Sequence, residues 1–315
     1  MKQKKLALGI DTSNYKTSVA VVDEEGKILY NSQNFLYVKE GERGLRQSDA
    51  FFQHVKKLPE LMEEVFSLPN VRDNLACISV STRPRPVNGS YMPVFIAGEA
   101  FARTLASSMN LPLYEFSHQE GHIEAVKYYS TLKDANKLVT FHFSGGTTEC
   151  ILVDQDNSFE IIGGSKDLAY GQVLDRIGVS LGLAFPCGEE LDEIALFASY
   201  KEKRLSKIKV NDCFVNLSGI ETQAQRLIGS VLADELICEV FEKISASILD
   251  ITLQIKEKYH ITDFLFAGGV SSSGYIRNYL RNNLSKDINI AFGEPKLSQD
   301  NAVGIALLGG KNIWL

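Results

Sequence analysis

One supersecondary plan occurs twice in this chain, and a duplication of that size restricts the fold to two similar halves. The segment KKLALGIDTSNYKTSVAVVDEEGKILY near the start reads as an apolar strand, a polar turn, a second strand, a tight DEEGK turn and a third strand. About 130 residues later, KLVTFHFSGGTTECILVDQDNSFEIIGG repeats it: strand, a Ser/Gly/Thr turn at 144 to 148, strand, a DQDN turn, strand. The repeat predicts two lobes, over 1–135 and 136–315.

Helical material follows each copy. Over 49–68, Phe51, Phe52, Val55, Leu58, Leu61, Met62 and Val65 recur near a helical period, and 92–110 and 232–259 behave likewise. The stretch LACISVS reads as a strand between the first two helices, and ITDFLFAGGVSSSGYIRNYLRNNL as strand, Gly-Gly turn and helix. Strands alternating with helices predict an α/β fold with mixed sheets covered on both faces. A three-stranded meander with a phosphate-type turn, present twice with helices behind it, resembles the two-lobed actin-like ATPases, a duplicated ribonuclease H-like fold. That resemblance implies a nucleotide cleft between the lobes, with backbone N–H groups of the turns facing phosphates.

Composition excludes several classes. The chain has 33 Lys plus Arg against 39 Asp plus Glu, a net charge of −6, so no global basic field draws it to nucleic acid. Any RNA contact is expected to be local or supplied by partner proteins. No apolar run has the length of a signal-peptide core or a membrane span. The five cysteines are scattered and never spaced C-x-x-C, which predicts reduced thiols, a cytoplasmic location and no zinc ribbon.

The chemistry-bearing residues lie in the turns and one short helix. Asp11 follows an apolar strand and opens DTSNYKT; Ser144, Gly145 and Gly146 open SGGTTE. Hydroxyls and glycines there let an anion reach backbone donors, although the same residues favour ordinary turns. Gly268, Gly269 and Ser273 belong to FAGGVSSSG, where a helix start offers N–H groups to a phosphate or ribose. Asp175 and Gly188 bracket a helix and loop, as a ribose-reaching carboxylate and a glycine permitting close approach, although Asp175 reads equally as a solvated or capping acid. His118 and His122 are four apart, on one face if FSHQEGHIEAV is helical, as two imidazole metal ligands require, although one could equally cap the helix while the other packs. A zincin spells H-E-x-x-H, and Gln119 stands where its glutamate belongs, so spacing disfavours a peptidase. Asp300 in LSQDNAVGIA is the candidate third ligand and equally a candidate helix N-cap.

The motifs LGIDTSNYKTSVAVVD, HVKKLPELMEE, HQEGHIEAV, FSGGTTECILV, DLAYGQVLDRIGVSLGLAFPCG, NLSGIETQ, FAGGVSSSGYIR and QDNAVGIALLGG occur in the order of the TsaD-type glycoprotease family, which the chain resembles over nearly its whole length. Once called O-sialoglycoprotein endopeptidases, its members are tRNA N6-adenosine threonylcarbamoyltransferases. The resemblance implies a mononuclear site of iron or zinc, with magnesium a third candidate, on His118, His122 and Asp300. It also implies ATP or threonylcarbamoyl-adenylate against Ser144, Gly145, Gly146, Asp175 and Gly188. The expected function is carbamoyl-type transfer, nominally of threonylcarbamoyl to the tRNA adenosine beside the anticodon.

The departures from the family pattern cluster in the site. Tyr15 and Lys16 replace an acidic pair, so Lys16 joins Asp11 as a candidate catalytic residue; RPRPVNGSYMP, with Arg83 and Arg85, replaces a Gly-Pro-Gly segment. Thr147, Leu168, Gln172 and Ser273 stand for a histidine, two acids and an asparagine. Added cations leave two alternatives open: a diverged paralogue acting as a carbamoyltransferase or ATPase on a more anionic acceptor, and a non-catalytic partner that dimerises through the 49–68 helix.

Overall fold

The computed structural model describes residues 4–38, 45–87, 89–154, 158–294, 297 and 302–314. The chain divides into two compact units, Met1–Val126 with Gln299–Leu315, and Lys127–Ser298.

In the first unit the predicted meander is β1 (Leu6–Thr12), β2 (Lys16–Asp23) and β3 (Ile28–Phe35), followed by α1 (Gln47–Ser67), a single turn α2 (Val71–Asn74), β4 (Leu75–Arg83), α3 (Phe95–Met109), β5 (Leu113–Ser117) and α4 (His118–Tyr128). The sheet order is β3-β2-β1-β4-β5, antiparallel through the meander and parallel from β1 to β5. Strand alternation sends Leu6, Leu8 and Ile10 to one face, where they form a core with Leu58, Leu61 and Val65 of α1 and Ala97 and Ala102 of α3. Of the apolar stripe over 49–68, Leu58, Leu61 and Val65 are spent on the helix's own sheet, while Phe52 and Val55 stay exposed.

The second unit repeats the plan with β6 (Leu138–Phe143), β7 (Thr148–Val153) and β8 (Phe159–Ser165), then α5 (Tyr170–Ser180), α6 (Gly188–Phe197), the two-residue β9 (Phe214–Val215), α7 (Ser218–Leu227), α8 (Ala233–Tyr259), β10 (Asp263–Ala267), α9 (Gly274–Asn283) and β11 (Asn289–Phe292). Its sheet order is β11-β10-β6-β7-β8-β9. Phe141 stacks on Phe266 at 4.6 Å between ring centres, Phe266 on Phe292 at 5.0 Å, and Phe143 meets Tyr170 edge-on at 5.2 Å. These rings join Ile244, Ile248, Ile251 and Ile255 of α8 in one core.

The last helix, α10 (Val303–Lys311), packs on β1, β2, β4 and β5 of the first sheet, whereas the expected division at 135/136 carries the whole C-terminal segment with the second lobe. Small residues on that face make the approach feasible: a Cβ added to Gly9 would lie 2.4 Å from the Ala302 carbonyl oxygen, and one on Gly309 would strike the Ser79 side chain. No helix among the described residues is long and apolar enough to cross a membrane.

Candidate active site

Strand alternation places the first cluster. Asp11 and Gly9 point to the α10 face of the sheet, while Ile10 and Thr12 point to the α1/α3 face. Asp11 pairs across β1–β2 with Ser18, and Lys16, two residues along, is a diagonal neighbour on the same face. The Lys16 ammonium lies 3.4 Å from the Gln33 amide oxygen and 4.4 Å from the Phe35 ring centre. Asp11 is 1% exposed. Its carboxylate accepts from the Ser81 hydroxyl and stands 2.8 and 3.0 Å from His118 Nδ1.

His118 opens α4 as predicted, and the helical rise of one turn brings His122 under it. The two Nε2 atoms face each other at 2.9 Å, with the rings perpendicular and their centres 4.3 Å apart. With Asp11 accepting the Nδ1 proton, the Nε2 lone pair of His118 is turned toward His122; a carboxylate behind an imidazole is the usual orienting partner of a metal-ligating histidine. Two imidazole nitrogens of this separation suit two metal–nitrogen bonds of about 2.0–2.1 Å converging on one ion. The donor set present fits a divalent transition metal. Among the described residues no group of three or more metal-ligating side chains is assembled, and Asp300, the expected third ligand, lies outside those residues.

Glu120 and Arg83 have partners that sequence reasoning missed. Ser117 and Glu120 form a reciprocal capping box at the start of α4: Glu120 N–H donates to Ser117 Oγ at 3.2 Å, and Ser117 N–H donates to Glu120 Oε2 at 2.5 Å. The S-x-x-E spacing was there to be read. The Arg83 guanidinium lies 3.5 Å from the same Glu120 oxygen, and Gln119 N–H donates to the Pro84 carbonyl at 3.1 Å.

Behind the first turn, His54 of α1 is fully buried between two groups, with Nδ1 2.8 Å from Thr17 Oγ1 and Nε2 2.8 Å from the Ser13 carbonyl. Burial lowers its pKa, and the Ser13 carbonyl and the Asp11 charge only partly oppose this. The folded protein thus resists taking up a proton that the unfolded chain accepts near pH 6.5. The sign follows: stability is full above that value and falls as pH drops below it, by up to about 1.4 kcal/mol per pH unit. Urea unfolding between pH 7.5 and 5 is expected to show that slope, and His54→Asn to be less stable at neutral pH but flatter; an unchanged slope in the variant refutes the assignment.

The second cluster lies in the second unit, at the β6–β7 turn. Ser144 N–H donates to the Thr147 carbonyl at 2.9 Å and Thr147 N–H to Ser144 Oγ at 3.1 Å, so the turn is closed by its own hydroxyl. Side-chain positions at Gly145 and Gly146 open on space free of other atoms within 4 Å, as does Gly269. Gly171, in the first turn of α5, sits against Gly145, where a Cβ would be 2.5 Å from the Gly145 Cα. Gly268 holds φ +92°, and any side chain there would meet the Phe143 carbonyl oxygen. The structure thus gathers Ser144, Gly145, Gly146, Gly268 and Gly269 around one turn.

Asp175, Gly188 and Ser273 are linked through α6 instead. Asp175 accepts the Cys187 N–H at 2.9 Å, which anchors the loop before Gly188. Asp192 of α6 accepts from Gly274 N–H at 2.7 Å, Tyr275 N–H at 3.1 Å and the Ser273 hydroxyl, while Ser273 Oγ caps Ile276 N–H. The α9 donors expected to face a phosphate therefore hold Asp192, because a carboxylate on a neighbouring helix satisfies the same orphan N–H groups. Of the departures, Gln172 accepts from Ala169 N–H at 2.9 Å at the start of α5. Asp167 works similarly: burial opposes its charge, but N–H groups of Leu217, Ser218 and Leu168 outweigh this and hold its pKa at about 2.

The model of the family described as tRNA N6-adenosine threonylcarbamoyltransferase, TsaD, matches residues 30–307. The chain belongs to the TsaD family. TsaD relatives with that name include the protein of Neorickettsia sennetsu, 30% identical over 314 residues that cover 96% of this chain and 92% of the relative. The Enterococcus faecalis relative is 28% identical, covering 96% of this chain and 89% of its own, and that of Thermosipho africanus 29%, covering 97% and 94%. Solved structures share the fold at low identity. T. kodakarensis HypF superposes with a TM-score of 0.63 at 12% identity, over 99% of this chain and 48% of HypF. The Acidaminococcus fermentans (R)-2-hydroxyglutaryl-CoA dehydratase component A gives 0.56 at 15%, over 98% of both chains. The TsaD chain thus has the actin-like, two-sheet α/β architecture expected from its repeat.

Proposed function

We propose that the protein is a tRNA N6-adenosine threonylcarbamoyltransferase of the cytoplasm, transferring threonylcarbamoyl from its adenylate to the adenosine beside the anticodon. The observation that carries this reading, beside family membership, is the pair of imidazole nitrogens converging at 2.9 Å with a buried carboxylate behind one of them. That arrangement is costly to keep as mere core packing and suits a metal site.

In the reaction, the adenosine amino nitrogen attacks the carbamoyl carbon, the bond from that carbon to the phosphate oxygen breaks, AMP leaves and the amino group loses a proton. His118, His122 and Asp300 would hold an iron or zinc ion rather than magnesium, since two imidazoles suit a transition metal, and as a Lewis acid it would supply charge stabilisation at phosphate or carbamoyl oxygens. Asp11 orients His118, and Ser81 fixes Asp11. Lys16, on the same sheet face, is the cation assigned to the charge that develops on the leaving phosphate. The nucleotide part is assigned to Ser144, Gly145, Gly146, Gly268 and Gly269, whose turn leaves room at its glycines. Asp175, Gly188 and Ser273 shape the loop and helix beside α6.

The test is incubation of metal-loaded protein with threonylcarbamoyl-adenylate and unmodified tRNA, followed by nucleoside mass spectrometry, with and without the partner proteins of a related system. Appearance of the modified adenosine is expected; protein that binds metal and ATP yet never modifies tRNA in either condition refutes the proposal.

A further inference from the structure

The first turn of α4 carries more than its two histidines. Glu120 sits between them in sequence, on a different side of the helix, and its carboxylate is held in two ways. It accepts the Ser117 N–H at 2.5 Å, closing the capping box in which the Glu120 N–H donates to Ser117 Oγ at 3.2 Å, and it lies 3.5 Å from the Arg83 guanidinium. Arg83 also donates to Thr82 Oγ1 at 3.4 Å, which holds the guanidinium at the end of β4. One residue on, the Pro84 carbonyl accepts Gln119 N–H at 3.1 Å. The end of β4 is therefore fastened twice to the first turn of α4, once through a side-chain ion pair and once through the backbone.

We infer that Glu120 is a positioning residue for the metal histidines, and that Arg83, rather than meeting an anionic substrate, serves as its clasp. The inference rests on the metal reading of His118 and His122. His118 is the first residue of α4, where a helix frays and its N–H groups lack intrahelical partners. A frayed first turn would swing His118 away from Asp11 and separate its Nε2 from that of His122, which is anchored a turn deeper. The capping box removes that freedom by satisfying two backbone donors at once, and does so with a side chain that is itself 14% exposed and restrained by Arg83. Ser81 ties the other end of the same chain of contacts, since it holds the Asp11 carboxylate on which His118 rests. The two strands that supply Ser81 and Ser117, β4 and β5, pair in parallel, with Arg83 opposite Ser117. Register between neighbouring strands thus places the clasp beside the cap.

The experiment uses full-length protein and Zn2+ alone as probe, with affinity measured by competition against a chromogenic chelator. Glu120→Ala is expected to weaken zinc binding by about 10- to 100-fold, the range for loss of a group that orients a ligand. Glu120→Gln, whose amide oxygen still accepts Ser117 N–H, is expected to stay within a few-fold of the parent, because glutamine serves in the same box. Leu61→Ala, a core change in α1, is the control: it lowers the melting temperature while leaving zinc affinity unchanged. Equal zinc affinity in Glu120→Ala and the parent, or an equal loss in Leu61→Ala, overturns the inference and leaves the metal reading intact. Failure of the parent to bind zinc or iron overturns the metal reading. In that case the metal-free imidazole decides on Glu120: the His118 Nδ1–H resonance in a 15N spectrum is expected to be lost or shifted in Glu120→Ala and retained in Glu120→Gln, and an unmoved resonance in Glu120→Ala refutes positioning.

Discussion

His118→Ala and His122→Ala are each expected to empty the metal site and lower threonylcarbamoyl transfer by about 100-fold or more, a barrier increase of roughly 2.7 kcal/mol. Each variant removes one of two nitrogens that face each other at 2.9 Å, and one imidazole with a single carboxylate is too small a donor set to retain the ion. His118→Ala should also release Asp11, which then keeps only Ser81 among its side-chain contacts described above. Asp300→Ala should match the histidine variants if that residue completes the set. The measurements are metal content after chelator-free purification and the tRNA assay on the same preparations. Full metal content together with full activity in His122→Ala would remove the metal from the proposal.

Gly304→Ala should produce the largest loss of stability among small substitutions, about 3 kcal/mol or more. Helix α10 crosses α4 so closely that a Cβ on Gly304 would lie 1.8 Å from the Gly121 carbonyl oxygen and 2.8 Å from the Ala125 nitrogen. These are backbone atoms of a helix and cannot rotate aside. A Cβ on Gly121 would reciprocally press on Ile305 at 2.7 Å. Relief requires α10 to withdraw, which uncovers Ile305, Ala306 and Leu307, all fully buried. The internal comparison is Gly219→Ala on α7, where the new methyl meets nothing within 4 Å and better helix propensity should leave stability equal or raised by up to about 1 kcal/mol. Urea midpoints of the two variants decide it, and a Gly304→Ala midpoint at the parental value would show that the helices part more easily than their contact implies. Because α4 also carries the histidines, a weakened α10 contact should lower metal retention before global unfolding.

The meanders, the long helices and the histidine pair were legible because each is a local pattern. Apolar runs bounded by polar turns mark β1, β2, β6 and β7, and period 3.6 marks α1 and α8, without reference to anything distant. The capping box at Ser117 and Glu120 is equally local, an S-x-x-E spacing that lies inside the histidine motif and is masked by it. Arg83 misled for another reason: a cation in a departing segment suggests an anionic ligand, and only the parallel pairing of β4 with β5 shows that its anion is Glu120. Asp192 carries no sequence signal of its role, since a carboxylate inside one helix gives no sign that it will cap another 81 residues away.

The amino-acid sequence by itself determined the element types, the duplicated α/β plan, the family and the candidate ligands His118 and His122, because spacing and alternation are properties of consecutive residues. Tertiary structure alone decided that Asp11, 107 residues distant, orients His118, that α10 returns to the first sheet, and that Asp192 takes the donors of α9. Those outcomes depend on which small residues let two backbones approach, as at Gly9, Gly121 and Gly304, and close approach is a relation between surfaces that no stretch of sequence contains.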